Sequence, residues 1–204
     1  MEKTENIIFD LGGVLLDIDY NRTRTAFEQL GVVNFDEMYS QANADHLFQK
    51  LETGKITDDD FYKELNRSTG LHLSPEEIRN AWNAMLLSFR EKSLQHLDDI
   101  RSKYQIFLLS NTNYIHLASF KKTFLDKKRE KTFEEYFNRA YYSCSIGLRK
   151  PEKVCYDWVL KELKIQPQKT LFIDDSLQNI EGAKAAGLQT ILLTPQLRIE
   201  DLGL

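Results

Sequence analysis

Five short apolar runs, separated by helix-forming stretches, constrain the fold of this chain most. They are Ile7-Ile8-Phe9, Gln105 to Leu109, Arg139 to Tyr142, Leu171-Phe172-Ile173 and Thr190 to Leu193. Most are continuously apolar, as strands buried on both faces of a parallel sheet should be. Lys153 to Leu163 reads as a helix beginning just after Pro151, a residue tolerated in a first turn. Leu177 to Ala186 reads as another, with Asp175-Ser176 able to cap it and Gly187 ending it. The alternation predicts an α/β fold, a doubly wound parallel sheet with helices on both faces.

One region breaks the alternation. From about Tyr20 to Arg90 only helical patterns occur. Ser74-Pro75-Glu76-Glu77 has the form of a capping box, predicting a helix from Glu76 to Phe89. Asp58 to Leu65 reads as a helix with an acidic first turn. The sheet does not need this insert, which therefore reads as an all-helical cap. The expected division is an α/β core of residues 1–17 and 92–204 and a helical cap of residues 18–91.

Composition narrows the class of function. The chain has 204 residues, 42% hydrophobic and 28% charged, an ordinary globular balance. Its net charge of −4 offers no broad basic surface for nucleic acid. The Lys/Arg cluster from Lys121 to Lys131 is broken by acids and aromatics, as a solvated face would be. No apolar run approaches the roughly 20 residues of a membrane span, and Met1 to Asn6 lack the apolar stretch of a secretion signal. Two cysteines, Cys144 and Cys155, form no framework, so a reducing, cytoplasmic setting is expected. A small-molecule partner is expected, without nucleic acid or membrane; a monomer is compatible with the sequence, which leaves oligomeric state open.

Four segments at strand carboxyl ends carry chemistry, and in a doubly wound sheet those ends form the ligand crevice. Asp10 follows the first strand, and Gly12-Gly13 behind it let the backbone turn sharply against a ligand. Ser110 and Asn111 follow the second; a hydroxyl, an amide and free N–H groups there can hold phosphate oxygens, although both residue types also favour helix caps. Lys150, before Pro151, can act as a point charge on phosphate and hold an anionic nucleophile. Asp174-Asp175 follows the fourth apolar run, and two carboxylates buried together need a cation. Hard oxygen ligands suit magnesium. A carboxylate nucleophile, phosphate donors, a cation and a metal clamp are the parts of phosphoryl transfer.

In order, these segments resemble the four motifs of the haloacid dehalogenase (HAD) superfamily. Phe9-Asp10-Leu11-Gly12-Gly13-Val14 looks like the nucleophile motif, Ser110 the second motif, Lys150 the third and Asp174-Asp175 the fourth. The helical insert, with Leu51-Glu52-Thr53-Gly54-Lys55-Ile56-Thr57, resembles the cap of one branch. More narrowly, Asp17 to Arg22, Ser110 to Asn113, Arg149 to Glu152 and Asn179 to Ala183 look like a bacterial branch that includes a glucose-1-phosphate phosphatase. The resemblance implies a HAD-like core and a magnesium-dependent phosphatase acting on a small phosphorylated metabolite through an aspartyl-phosphate. It makes Asp10 and Lys150 catalytic, and Ser110, Asn111 and Lys150 the phosphate binders. Magnesium would be held by Asp10, the Gly12 carbonyl and Asp175, with Asp174 bound directly or through water.

One position departs from the pattern. Most family phosphatases carry a second Asp, the general acid/base, where this chain has Gly12. The glucose-1-phosphate branch resembles this chain in having glycine there. Without that proton donor the site should favour better leaving groups, such as sugar 1-phosphates, over primary alkoxides. Asp17 and Asp19, at the cap junction, are the nearest candidates to replace it. Two other readings stay open: a catalytically weak or silent phosphate-binding regulatory protein, which Gly12 favours, and a 2-haloacid dehalogenase, which Asp174-Asp175 disfavours. His46, His72, His96 and His116 show no ligand spacing; His46, in the cap, is a candidate substrate contact. Cap aromatics such as Phe48 and Trp82 read as core.

Overall fold

The computed structural model describes residues 3–33, 35–36 and 47–204. Five parallel strands form the sheet: β1 (Asn6–Phe9), β4 (Gln105–Ser110), β5 (Arg139–Tyr142), β6 (Thr170–Asp174) and β7 (Gln189–Leu192), in the order β5-β4-β1-β6-β7. Strand order reverses at β1, so the crevice at the switch point opens beside the residue that follows it, Asp10.

Alternation along each strand assigns side chains to the two faces. Ile7, Phe9, Ile106 and Leu108 enter one core with Leu94, Leu97, Phe120 and Phe124. Ile8, Phe107 and Leu109 enter the other with Tyr156, Val159 and Ile180. These helical residues lie on α5 (Glu91–Ile100), α6 (Tyr114–Asp126), α8 (Lys153–Leu163) and α9 (Leu177–Ala185). A one-turn helix, α7 (Ser143–Ile146), follows β5. The doubly wound parallel α/β architecture expected from the sequence is therefore the one observed.

Between the first two sheet strands lie α1 (Tyr20–Gln29), α2 (Leu47–Glu52), α3 (Asp58–Thr69) and α4 (Pro75–Asn83). They bury their own cluster, including Phe27, Phe48, Phe61, Leu65, Ile78 and Trp82. Thr57 and Ser74 open α3 and α4 with reciprocal capping boxes to Asp60 and Glu77.

The helix expected from Glu76 to Phe89 is shorter. It ends at Asn83, and Leu86–Phe89 forms β3, antiparallel to β2 (Leu16–Ile18). Tertiary pairing overrides helix propensity there: Leu16 pairs with Phe89, and both side chains join the sheet core. This two-stranded ribbon carries the chain into the helical insert and back. Arg90 fastens its base, donating to Asp17 at 2.7 Å and to the Val14 carbonyl at 3.1 Å.

Candidate active site

Asp10 directly follows β1, where its N–H still donates to Ile173 at 2.9 Å. Lys150 reaches it from the loop before α8. Its Nζ lies 2.6 Å from Asp10 Oδ1 and 2.6 Å from Asp174 Oδ2, and the side chain is 1% exposed. An ammonium ion buried this deeply is tolerable only between such partners. Burial works to depress its pKa, but the two carboxylates outweigh that and hold it above the ordinary lysine value.

Asn111 fixes the lysine backbone. Its side-chain amide donates to the Lys150 carbonyl at 2.8 Å and accepts from the Lys150 N–H at 2.9 Å. The helix-capping role falls instead to Asn113, which accepts from His116 N–H at the start of α6. Ser110 ends β4, is 2% exposed, and lines the cleft with Asn111 and Thr112.

Asp174 is fully buried. Beyond Lys150 it accepts from the Ser176 N–H at 2.8 Å and from Asn179 Nδ2 at 3.0 Å. Ser176 occupies the N-cap position of α9, but its hydroxyl makes no capping bond. Asp175 is exposed and faces the cleft.

Oxygens of Asp10, Asp174 and Asp175 lie within 4.8 Å of one another. Burial raises the pKa of Asp10, Lys150 lowers it, and Asp174 and Asp175 raise it. Three carboxylates around one ammonium leave negative charge unbalanced. That excess, offered by hard oxygens, fits a divalent cation such as magnesium. Gly12 lines the same cleft. Gly13, at φ +69°, lies so close to Asp175 that an added Cβ would come within 1.9 Å of Oδ2.

Above these groups the cleft has a volume of about 740 Å3. Insert residues Tyr20, Phe48, Gln49, Glu52 and Trp82 line it together with Arg149 and His116 from the core. Phe48 and Trp82 thus belong both to the insert's core, as expected, and to the cleft wall. Asp17 and Asp19, the candidates to replace a general acid, are engaged elsewhere. Asp17 pairs with Arg90, and Asp19 caps α1 by accepting from Asn21; neither lines the cleft. His46 lies outside the described residues.

Sequence reasoning passed over Arg90, Glu52, Arg149 and His116 as functional groups. Arg90 follows β3, a strand that only pairing reveals, and Arg149 adjoins Lys150, but only the fold brings these four residues to the cleft or to the base of the ribbon.

A family model described as haloacid dehalogenase-like hydrolase matches residues 4–187. D-ribitol-5-phosphate phosphatase from Bacteroides thetaiotaomicron is 33% identical over 187 residues, covering 91% of this chain and 90% of that protein. A sesquiterpene phosphatase from Aspergillus oryzae is 29% identical over 198 residues, covering 93% of this chain and 90% of that one. The crystal structure of a wild-type HAD family enzyme from Bacteroides thetaiotaomicron, in complex with magnesium and inorganic phosphate, superposes with a TM-score of 0.89 at 32% identity and covers 98% of each chain.

The chain therefore belongs to the haloacid dehalogenase-like hydrolases. Within that family it is a phosphoric monoester hydrolase that uses magnesium. Among the described residues no helix is long and apolar enough to cross a membrane.

Proposed function

We propose that this hydrolase cleaves phosphate monoesters of small polyhydroxylated alcohols through an aspartyl-phosphate on Asp10. The observation that carries the reading is the buried contact of Lys150 with Asp10 and Asp174, set in the floor of a cleft of about 740 Å3. The polyhydroxylated class is supported by the likeness to the D-ribitol-5-phosphate phosphatase. Residues 18–91 act as the cap over a core of 1–17 and 92–204, and a cytoplasmic setting suits such a metabolite.

Asp10 attacks phosphorus in line, and the P–O bond to the alcohol breaks as the acyl phosphate bond forms. The departing oxygen takes a proton from solvent, and water then attacks the same phosphorus, releasing inorganic phosphate and restoring Asp10. Lys150 keeps Asp10 oriented, while Ser110 and the N–H groups after β4 hold the transferring oxygens. In this reading the Asn111 side chain acts through Lys150, and its backbone N–H faces the phosphate. Asp10, Asp175 and the Gly12 carbonyl hold magnesium, with Asp174 bound directly or through water. When bound, the ion supplies the positive charge that offsets three carboxylates and the phosphate.

Gly12 provides no acid, so the leaving group carries more of the burden. An anomeric oxygen is a better leaving group than a primary alkoxide, which favours sugar 1-phosphates over 6-phosphates. The named relative supports a second reading, a pentitol 5-phosphate. The test is kcat/KM for glucose 1-phosphate, glucose 6-phosphate and D-ribitol 5-phosphate at equal magnesium. The expected order places the 1-phosphate above the 6-phosphate. If ribitol 5-phosphate leads, recognition by the cap outweighs leaving-group chemistry; if none is turned over, the polyhydroxylated class is wrong.

A further inference from the structure

The part of the cleft away from Asp10 contains polar atoms whose hydrogen-bonding capacity the protein does not use. His116, on α6, stacks on Trp82 of the insert, with ring centroids 4.8 Å apart and planes inclined by 18°. Its Nδ1 lies 2.8 Å from the Asn83 side-chain oxygen. A carbonyl oxygen accepts, so Nδ1 carries the proton and Nε2 is left as a bare acceptor. Burial keeps the ring neutral, with its pKa pushed down to about 3. His116 lines the cleft, and no described residue hydrogen-bonds Nε2.

A second group sits on the same cleft. Arg149, next to Lys150, faces Glu52 at the end of α2, with an N–O separation of 3.0 Å. The two groups form an ion pair, yet Glu52 Oε2 and Arg149 Nε are buried without a hydrogen-bond partner. Leaving such groups unsatisfied costs about 1–3 kcal/mol each. Unpaired buried polar atoms in a native site call for a ligand or water that completes them.

We propose that His116 and the Glu52–Arg149 pair read the hydroxyl groups of the leaving alcohol. His116 Nε2 accepts from one hydroxyl, Glu52 Oε2 accepts from another, and Arg149 Nε donates to a hydroxyl oxygen. Phe48 and Trp82 supply apolar surface for the carbon chain between them. The inference rests on the phosphomonoesterase reading above. It explains how the cleft would tell a polyol ester from a plain alkyl ester: the plain ester offers no hydroxyl to His116 Nε2 and leaves Glu52 and Arg149 with their mutual ion pair alone.

The test compares D-ribitol 5-phosphate with n-pentyl phosphate, two primary esters that differ in their hydroxyls, at equal magnesium. Wild-type protein should prefer the ribitol ester in kcat/KM by about tenfold or more, the scale of one retained hydrogen bond. His116→Phe keeps a ring against Trp82 but removes the acceptor. The charge-swapped double variant Glu52→Arg/Arg149→Glu keeps an ion pair but exchanges donor and acceptor. In each, the ribitol-to-pentyl ratio should fall toward unity. A merely structural contact would lower both substrates together, and the swap would restore them. An unchanged ratio in His116→Phe overturns the role of His116, and an unchanged ratio in the swap overturns that of Glu52 and Arg149. A wild type with no preference overturns the whole proposal, even if neither variant folds. If wild type hydrolyses neither ester while an aryl phosphate is turned over, the polyol reading itself fails instead.

Discussion

Asn111 and Lys150 hold each other by a reciprocal pair of hydrogen bonds, side-chain amide to main chain, at 2.8 and 2.9 Å. The strand end after β4 thereby positions the cation that faces β1 and β6. Asn111→Ala leaves the Lys150 N–H and carbonyl without these partners. Stability should fall by about 2 kcal/mol or more. Turnover should drop about ten- to a hundredfold, because a displaced Lys150 no longer orients Asp10. Thermal unfolding and kcat check the two effects, and an unchanged kcat in folded protein would remove Asn111 from the positioning role.

Gly13 separates a conformational effect from a chemical one. Alanine there meets Asp175 Oδ2 at 1.9 Å and must adopt φ +69°. The left-handed conformation alone costs about 1–2 kcal/mol. Displacing Asp175 should also weaken magnesium binding. The apparent magnesium constant from activity titration should rise at least about tenfold, the scale reported for disturbed metal-ligand positioning. Gly12→Ala, whose added Cβ meets the end of the Ile18 side chain, should be milder. Equal magnesium dependence in wild type and Gly13→Ala would contradict the assignment of Asp175.

His116 should leave an acid signature on stability. Burial lowers its folded pKa to about 3 from an ordinary 6.5. The unfolded chain therefore takes up a proton below about pH 6.5 while the folded chain does not. The stabilisation is complete above that pH and is lost as pH falls toward 3, at a limiting slope of about 1.4 kcal/mol per pH unit. Between pH 7 and pH 4, wild type should lose thermal stability more steeply than His116→Gln. Parallel curves would show that the imidazole is protonated in the fold.

The strands and the residues after them were legible because burial on both sheet faces leaves an apolar run, and the break to Asp10, Ser110 or Asp174 marks its end. The β2–β3 ribbon was not legible. Leu86 to Phe89 continues a helical pattern, and only pairing with Leu16 to Ile18 makes it a strand. The distances among Asp10, Lys150 and Asp174 follow from strand order, which spacing in the sequence does not contain. Asn111 shows a subtler limit: its position beside Ser110 suggests a phosphate donor, yet its amide is engaged with Lys150. Likewise Glu52 and Arg149 are ordinary surface residue types until the insert folds over the core.

The covalent role of Asp10 is the central claim, and turnover of 4-nitrophenyl phosphate by Asp10→Asn with saturating magnesium tests it most directly. The substitution preserves shape and a hydrogen-bond acceptor for Lys150 but removes the nucleophilic carboxylate. The account predicts a folded protein with kcat reduced by at least about 10³-fold, the scale of losing a catalytic nucleophile. A folded Asp10→Asn that retained a substantial fraction of wild-type kcat would contradict it.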